Sequence, residues 1–102
     1  MTDTSILIEA MEARAEALAG LGHRVRFDLT DTDETILLDA TGPALSVTSG
    51  KEDAEAVLSM ASDTLEKLIT GKMSPMVAFS TGRLRVAGSQ GVALKLAGLL
   101  ND

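Results

Sequence analysis

Thr70-Gly71-Lys72-Met73-Ser74-Pro75-Met76-Val77-Ala78-Phe79, followed by Gly82-Arg83-Leu84-Arg85-Val86-Ala87-Gly88 and by Val92-Ala93-Leu94-Lys95-Leu96-Ala97-Gly98-Leu99-Leu100, decides the fold of this 102-residue chain. Gly71 stops a helix whose apolar stripe is Leu65, Leu68 and Ile69; Asp63 is its expected cap, with Glu66 reaching back three residues later. Ser74-Pro75 starts a second helix, serine as cap and proline in the first turn, and Gly82 ends it. Arg83 to Ala87 alternates as a strand with Leu84 and Val86 inward, and Ser89 can cap a final helix. From Val92 to Leu100 that helix carries one charge, Lys95. A surface helix keeps a polar face, so this one needs cover on more than one side. Three covers suit it: a ligand tunnel, a homodimer seam, or deep burial in the core.

Upstream, Leu7, Met11, Ala15 and Leu18 recur at helical spacing, which predicts a helix from about Thr4 to Ala19 stopped by Gly20 and Gly22. Val25, Phe27 and Leu29 alternate with Arg24, Arg26 and Asp28, the pattern of a half-buried strand over residues 24–30. The turn Asp31-Thr32-Asp33-Glu34 leads to a strand over 35–41, and Gly42-Pro43 to a third over 44–49. Together these make an antiparallel meander. Residues 54–60 fit both periods: Ala54, Val57, Leu58 and Ala61 suit a helix, whereas Ala54, Ala56, Leu58 and Met60 suit a strand. Spacing does not choose between them.

Composition excludes several classes. A chain of this length forms one domain, residues 1–102, large enough to bury a core unaided. No cysteine is present, which removes disulfides, thiolate metal sites and cysteine nucleophiles. A net charge of -6, with no basic patch interleaved with aromatics, argues against nucleic acid as a partner. His23 is the one histidine, at a strand edge, so neither a metal set nor a catalytic constellation assembles; no catalytic residue, metal or cofactor is expected. Asp31, Asp33 and Glu34, and again Glu52, Asp53 and Glu55, read as solvated turn clusters. Gly88-Ser89-Gln90-Gly91 lacks the basic surroundings of an RNA-binding loop, and neither Gly50-Lys51-Glu52 nor Gly71-Lys72-Met73 has the ending of a nucleotide-binding loop. Apolar runs fall far short of the roughly 20 residues that span a bilayer, and Met1-Thr2-Asp3-Thr4 lacks the basic start of a secretion signal, so a cytoplasmic location is expected. With two Phe and no Trp or Tyr, the interior is aliphatic: a plain core, or adaptable walls around a ligand.

The T-G-K-x-x-P helix end, the A-F helix, the G-R-L-x-V-x-G strand and the nearly uncharged last helix occur in one order over roughly the last fifty residues. This set resembles the C-terminal half of the sterol carrier protein 2 family. The resemblance implies that Ala56 to Met60 is a strand, since a strand precedes the T-G-K helix in that family. It implies an α+β fold in which a five-stranded, mainly antiparallel sheet is covered on one face by helices and encloses an apolar tunnel. Eukaryotic relatives often end in a peroxisomal tripeptide, whereas this chain ends Leu100-Asn101-Asp102; a bacterial cytoplasmic member is expected.

The function so implied is non-enzymatic binding, and transfer, of a lipid: a fatty acid, fatty acyl-CoA, sterol-like molecule or isoprenoid. The alternative is an accessory scaffold of a lipid or quinone pathway, acting through a homodimer. Partners would be the lipid and, transiently, a membrane surface, with the chain a monomer or a homodimer. Strand parity and the resemblance together nominate the tunnel wall: Phe27, Leu29, Leu38, Leu58, Met60, Leu65, Leu68, Ile69, Met76, Phe79, Leu84, Val86, Val92, Leu96 and Leu100. Arg24, Arg26, Arg83 and Arg85 fall on the polar parity of two strands. They are either a solvated sheet face, interleaved with Asp28, Asp39 or Glu55, or a small basic patch for anionic lipid headgroups or the phosphate of an acyl-coenzyme A.

Overall fold

A computed structural model describes residues 4–100. Met1–Asp3 and Asn101–Asp102, on which the secretion and peroxisomal readings partly rest, lie outside the described residues. Strands β1 (Arg24–Leu29), β2 (Glu34–Asp39), β3 (Ser46–Thr48), β4 (Ala56–Met60) and β5 (Arg85–Gly88) form one sheet in the order β3-β2-β1-β4-β5. The meander is present as expected, β1 pairing antiparallel with β2 and β2 with β3. The chain then crosses to the far side of β1, where β4 runs parallel to it, and β5 closes that side antiparallel to β4. The sheet is therefore mixed, with one parallel pairing at its centre.

Within residues 54–60, Ala56–Met60 forms a strand, β4, and an interior one of the sheet. Ala56, Leu58 and Met60 alternate toward the helices, and Val57 and Ser59 are half-buried on the other face. In register, Ile36, Phe27, Leu58 and Val86 form one row across four strands. Leu38, Val25 and Ala56 form the next. These rows are the sheet's contribution to a continuous apolar core, completed by Leu7, Met11, Leu18 and Leu21 from the N-terminal segment and by Leu65, Leu68 and Leu96 from later helices. Helices α1 (Thr4–Glu12), α2 (Ala15–Leu18), α3 (Ser62–Ile69), α4 (Pro75–Ser80) and α5 (Gln90–Leu100) supply the covering layer. α1 packs on β2 and β3, and α5 on β4 and β5.

The long N-terminal helix is broken. α1 ends at Glu12, Arg14 leaves helical geometry at φ -106 and ψ 23, and α2 passes into a 3-10 turn over Ala19–Leu21. The bend lets Leu7 and Met11 serve the sheet side while α2 turns to pack against α5. Arg14 reaches the far end of the chain, its guanidinium donating to the Leu100 carbonyl at 3.3 Å. Spacing of apolar residues cannot register such a bend, since both halves keep the same period.

Asp63 is not the cap of α3. The helix begins one residue earlier, with Ala61 in the cap position and no side-chain cap of its own. Asp31, from the β1–β2 turn, takes that role from a distance: its carboxylate accepts from the Ser62 N–H at 2.9 Å and from the Ser62 hydroxyl at 2.6 Å. These two bonds hold the Asp31 carboxyl below its usual pKa. α4 starts as expected, the Met76 N–H donating to the Ser74 hydroxyl at 3.2 Å with Pro75 in the first turn. β5 begins at Arg85, two residues later than expected, because Arg83 and Leu84 still bond back to the Ala78 carbonyl at the end of α4. β3 is likewise shorter than 44–49, pairing with β2 over Ser46–Thr48 alone.

Topology sets the two arginine pairs apart. β4 separates β1 from β5, so the two arginine pairs are not adjacent strands. Arg24 bonds Asp39 at 3.1 Å and Arg26 bonds Asp28 at 2.8 Å. Asp39 is held below its ordinary pKa chiefly by the hydroxyl and N–H of Thr41, with Arg24 adding to this.

Candidate functional site

Between the sheet and the α3–α4–α5 side of the helical layer lies a cavity of about 200 Å³. Its floor is Phe27 of β1, Leu58 of β4, Val86 of β5 and the adjoining Leu84. One flank is Leu68 of α3 with Pro75, Met76 and Phe79 of α4; the other is Gln90, Ala93, Leu94, Leu96, Ala97 and Leu100 of α5. Depth follows from exposure. Phe27 and Leu96 are 1% exposed at the base, whereas Met76, Phe79 and Leu94 are 64%, 56% and 65% exposed and form the mouth.

Local sequence explains this shape. α4 is only six residues long because Pro75 starts it and Thr81-Gly82 ends it, so it lies across the cavity as a short flap of apolar side chains. α5 has small residues, Ala93 and Ala97, where it faces the cavity, and these leave room that leucines would fill. Nearby, Gly88 at the end of β5 lets that strand approach the backbone of Glu55 and Ala56, bringing Val86 level with Leu58.

Chemically the wall is almost featureless. Gln90 is its one polar side chain, and no titratable group lines it. His23, the one histidine, sits away from the cavity with its Nδ1 2.7 Å from a Glu55 carboxylate oxygen. Among the described residues no group of three or more histidine, aspartate or glutamate side chains could hold a metal ion. Such an arrangement can desolvate and enclose an apolar molecule; it offers neither a nucleophile nor a base to transform one.

Of the fifteen nominated wall residues, the structure brings nine together around the cavity: Phe27, Leu58, Leu68, Met76, Phe79, Leu84, Val86, Leu96 and Leu100. Leu29, Leu38, Met60, Leu65, Ile69 and Val92 do not line it; all six are buried in the core. Strand parity selects the face a residue occupies but not its position along the strand. Leu29 and Met60 are register neighbours one step beyond the Phe27–Leu58 pair, and Leu38 lies on β2, the side that α1 covers.

Pro75, Gln90, Ala93, Leu94 and Ala97 also line the cavity and were not nominated. A signal for most of them exists. Residues 90, 93, 94, 97 and 100 form one helical stripe, whereas Val92 lies on the neighbouring stripe that meets the core.

The model of the SCP-2 sterol transfer family matches residues 6–101. Hydroxysteroid dehydrogenase-like protein 2 of Bos taurus is 33% identical over 80 residues, which cover 76% of this chain and 19% of that protein. The chain thus spans about a fifth of the length of this curated relative. Among solved structures, the sterol carrier protein domain 2 of Helicoverpa armigera superposes with a TM-score of 0.73 at 27% identity, covering 94% of this chain and 80% of that one. The palmitated SCP2L2 of Aedes aegypti superposes with a TM-score of 0.76 over 99% of this chain and 96% of that one; at 16% identity it shows a shared fold. With the sheet order, the helical cover and the apolar cavity in place, the family match over residues 6–101 identifies this chain as a member of the SCP-2 sterol transfer family.

Proposed function

We propose that this protein binds the long apolar chain of a lipid in the cavity between sheet and helices and releases it unchanged, acting as a carrier. The observation that carries this reading is the wall itself, in which thirteen of the fourteen lining residues are apolar and the remaining one is Gln90. Burial of apolar surface yields about 25 cal/mol per Å², so an acyl chain gains affinity from desolvation alone. Selectivity is then loose, and a fatty acid, a fatty acyl-CoA, a sterol-like molecule and an isoprenoid all qualify. Gln90 can donate to a carboxylate or hydroxyl at one end of the ligand. The palmitated relative from Aedes aegypti supports a fatty acyl occupant.

Energetics favour filling the cavity. At ~24 cal/mol per Å³, an empty space of 200 Å³ costs up to about 5 kcal/mol, comparable with the stability of a small domain. The volume is also below the roughly 300 Å³ at which ligand sites begin. A bound chain therefore widens the site or extends through the mouth, and the movable parts are the α4 side chains Met76 and Phe79.

The test is thermal unfolding with fatty acids of increasing length. Palmitate should raise the melting temperature by mass action on the folded state, and hexanoate at equal concentration should raise it much less. Equal shifts, or none at saturating palmitate, would remove the carrier reading. Native mass spectrometry reports co-purifying lipid and subunit count together; a lipid-free dimer whose interface covers α5 would favour the scaffold reading instead.

A further inference from the structure

Where β1 and β4 end, the structure holds a second cavity, of about 560 Å³, which shares no lining residue with the apolar one. It exceeds the roughly 300 Å³ at which ligand sites begin. Its polar lining is Thr30, Ser59, Thr64, Arg83 and Arg85. The topology explains why these five meet. Thr30 follows β1 and is tied to β4 by its N–H, which donates to the Met60 carbonyl at 2.9 Å. Ser59 and Arg85 are register partners on β4 and β5, so their side chains leave the same face of the sheet. Arg83 keeps the parity of Arg85, while Leu84 between them lines the apolar cavity instead. Thr64 comes from the first turn of α3, which starts directly after β4.

These arginines differ from the two on β1. Arg24 and Arg26 each hold a carboxylate, that of Asp39 and of Asp28. Among the described residues Arg83 and Arg85 pair with none, and no carboxylate lines the cavity. Of the nearby acids, Asp28 stands beside Ser59 in register but is committed to Arg26, and Asp31, next to Thr30, is committed to Ser62. The hydroxyls are equally uncommitted. Thr64 is 8% exposed, yet its hydroxyl makes no hydrogen bond among the described residues, and neither do those of Thr30 and Ser59. Polar groups buried to this degree are nearly always bonded, so the Thr64 hydroxyl points to an acceptor that the chain itself does not supply.

We propose that this second cavity binds the phosphate ester of a water-soluble molecule, its phosphoryl oxygens held by Arg83 and Arg85 and by the hydroxyls of Thr30, Ser59 and Thr64. A guanidinium fork matches carboxylate and phosphate alike. Two cations with three hydroxyl donors exceed what the two oxygens of a carboxylate take up, and they suit the three oxygens and near-double charge of a phosphoryl group. The body of the ligand stays in water, because Leu58, Leu84 and Val86 wall the apolar cavity while Ser59, Arg83 and Arg85 wall this one. The site is therefore separate from the proposed lipid cavity and does not rest on the carrier reading.

Titration calorimetry at low salt, with glycerol 3-phosphate as the probe, tests this. One molecule should bind per chain. Arg83→Ser and Arg85→Ser should each weaken binding by about tenfold or more, since each removes a charge-assisted fork. Arg24→Ser removes the same charge outside the cavity and should change binding by less than about twofold. Thr64→Val keeps the shape of the side chain and removes its hydroxyl. It should weaken binding several-fold and leave the melting temperature unchanged, a combination that a purely structural Thr64 would not give. Absence of binding at millimolar probe, or equal weakening by Arg24→Ser and Arg85→Ser, would refute the site. Malonate binding as tightly as the probe would refute the phosphate class. If the 1-palmitoyl ester of the probe binds far more tightly through the same arginines, the phosphate belongs to a lipid that reaches the apolar cavity, and the soluble ligand is refuted. Wild type that binds the probe but takes up no palmitate upholds this site while removing the carrier reading.

Discussion

Replacing Gly88 with alanine tests the junction on which the cavity floor depends. Gly88 has φ +79, and a Cβ built there would lie 2.6 Å from the Glu55 carbonyl oxygen and 3.4 Å from the Ala56 Cα. Both neighbours are backbone of the segment leading into β4, so no side chain can swing aside. Two costs combine. A Cβ in left-handed conformation costs roughly 1–2 kcal/mol. Relieving the clash pushes β5 off β4 and loosens the bond from the Ser89 N–H to Glu55 O, 2.8 Å long, for about another 1–2 kcal/mol. The expected loss is therefore about 2–4 kcal/mol, or on the order of 10–25 °C in melting temperature for a domain of this size.

Gly82 supplies the control. Its φ is +77, but nothing lies within 4 Å of its added Cβ. Gly82→Ala should thus show the conformational cost alone, about 1–2 kcal/mol. Urea unfolding of both variants, with the slope checked for constancy, isolates the clash as their difference. Because a displaced β5 carries Val86 away from Leu58, Gly88→Ala should also weaken palmitate binding more than Gly82→Ala does. Equal stability of the two variants would refute the close approach of β5 to β4.

Two further outcomes follow from the core and its charged bracket. Leu38→Ala, at a fully buried position off the cavity wall, should cost about 2–5 kcal/mol by urea unfolding while leaving the stoichiometry of fatty-acid binding unchanged; loss of binding in a folded variant would place Leu38 at the site. Asp31→Ala should destabilise the protein at neutral pH by removing the carboxylate that accepts both Ser62 bonds. Since the folded pKa of Asp31 is lowered, its contribution is complete above the unfolded value of about 3.9 and fades as pH falls through the folded value. The gap in urea midpoint between wild type and variant should hold steady near neutral pH and narrow only below about pH 4; a gap that narrows on alkalinisation instead would contradict the assignment.

What the sequence by itself determined is what local chemistry controls. Period-two alternation placed β1, the turn at 31–34 and the apolar run after it placed β2, Ser74-Pro75 placed the start of α4, and Ser89 caps α5, its hydroxyl accepting from the Val92 N–H at 3.2 Å. The T-G-K-x-x-P set also carried the likeness by which Ala56 to Met60 became a strand, a choice its own spacing left open. Tertiary structure decided the rest, because the deciding partners are distant along the chain. Asp31 caps a helix 31 residues away, Arg14 reaches across 86 residues to Leu100, and the bend between α1 and α2 serves two different packing partners. The cavity belongs to the same class. Parity and helical stripe select the faces of Leu29, Leu38 and Phe27 alike, but the covering layer is α1 over β2 and α5 over β4 and β5. The cavity lies where the small α5 residues Ala93 and Ala97 come opposite Phe27, Leu58 and Val86 of the sheet, and that coincidence exists in three dimensions alone.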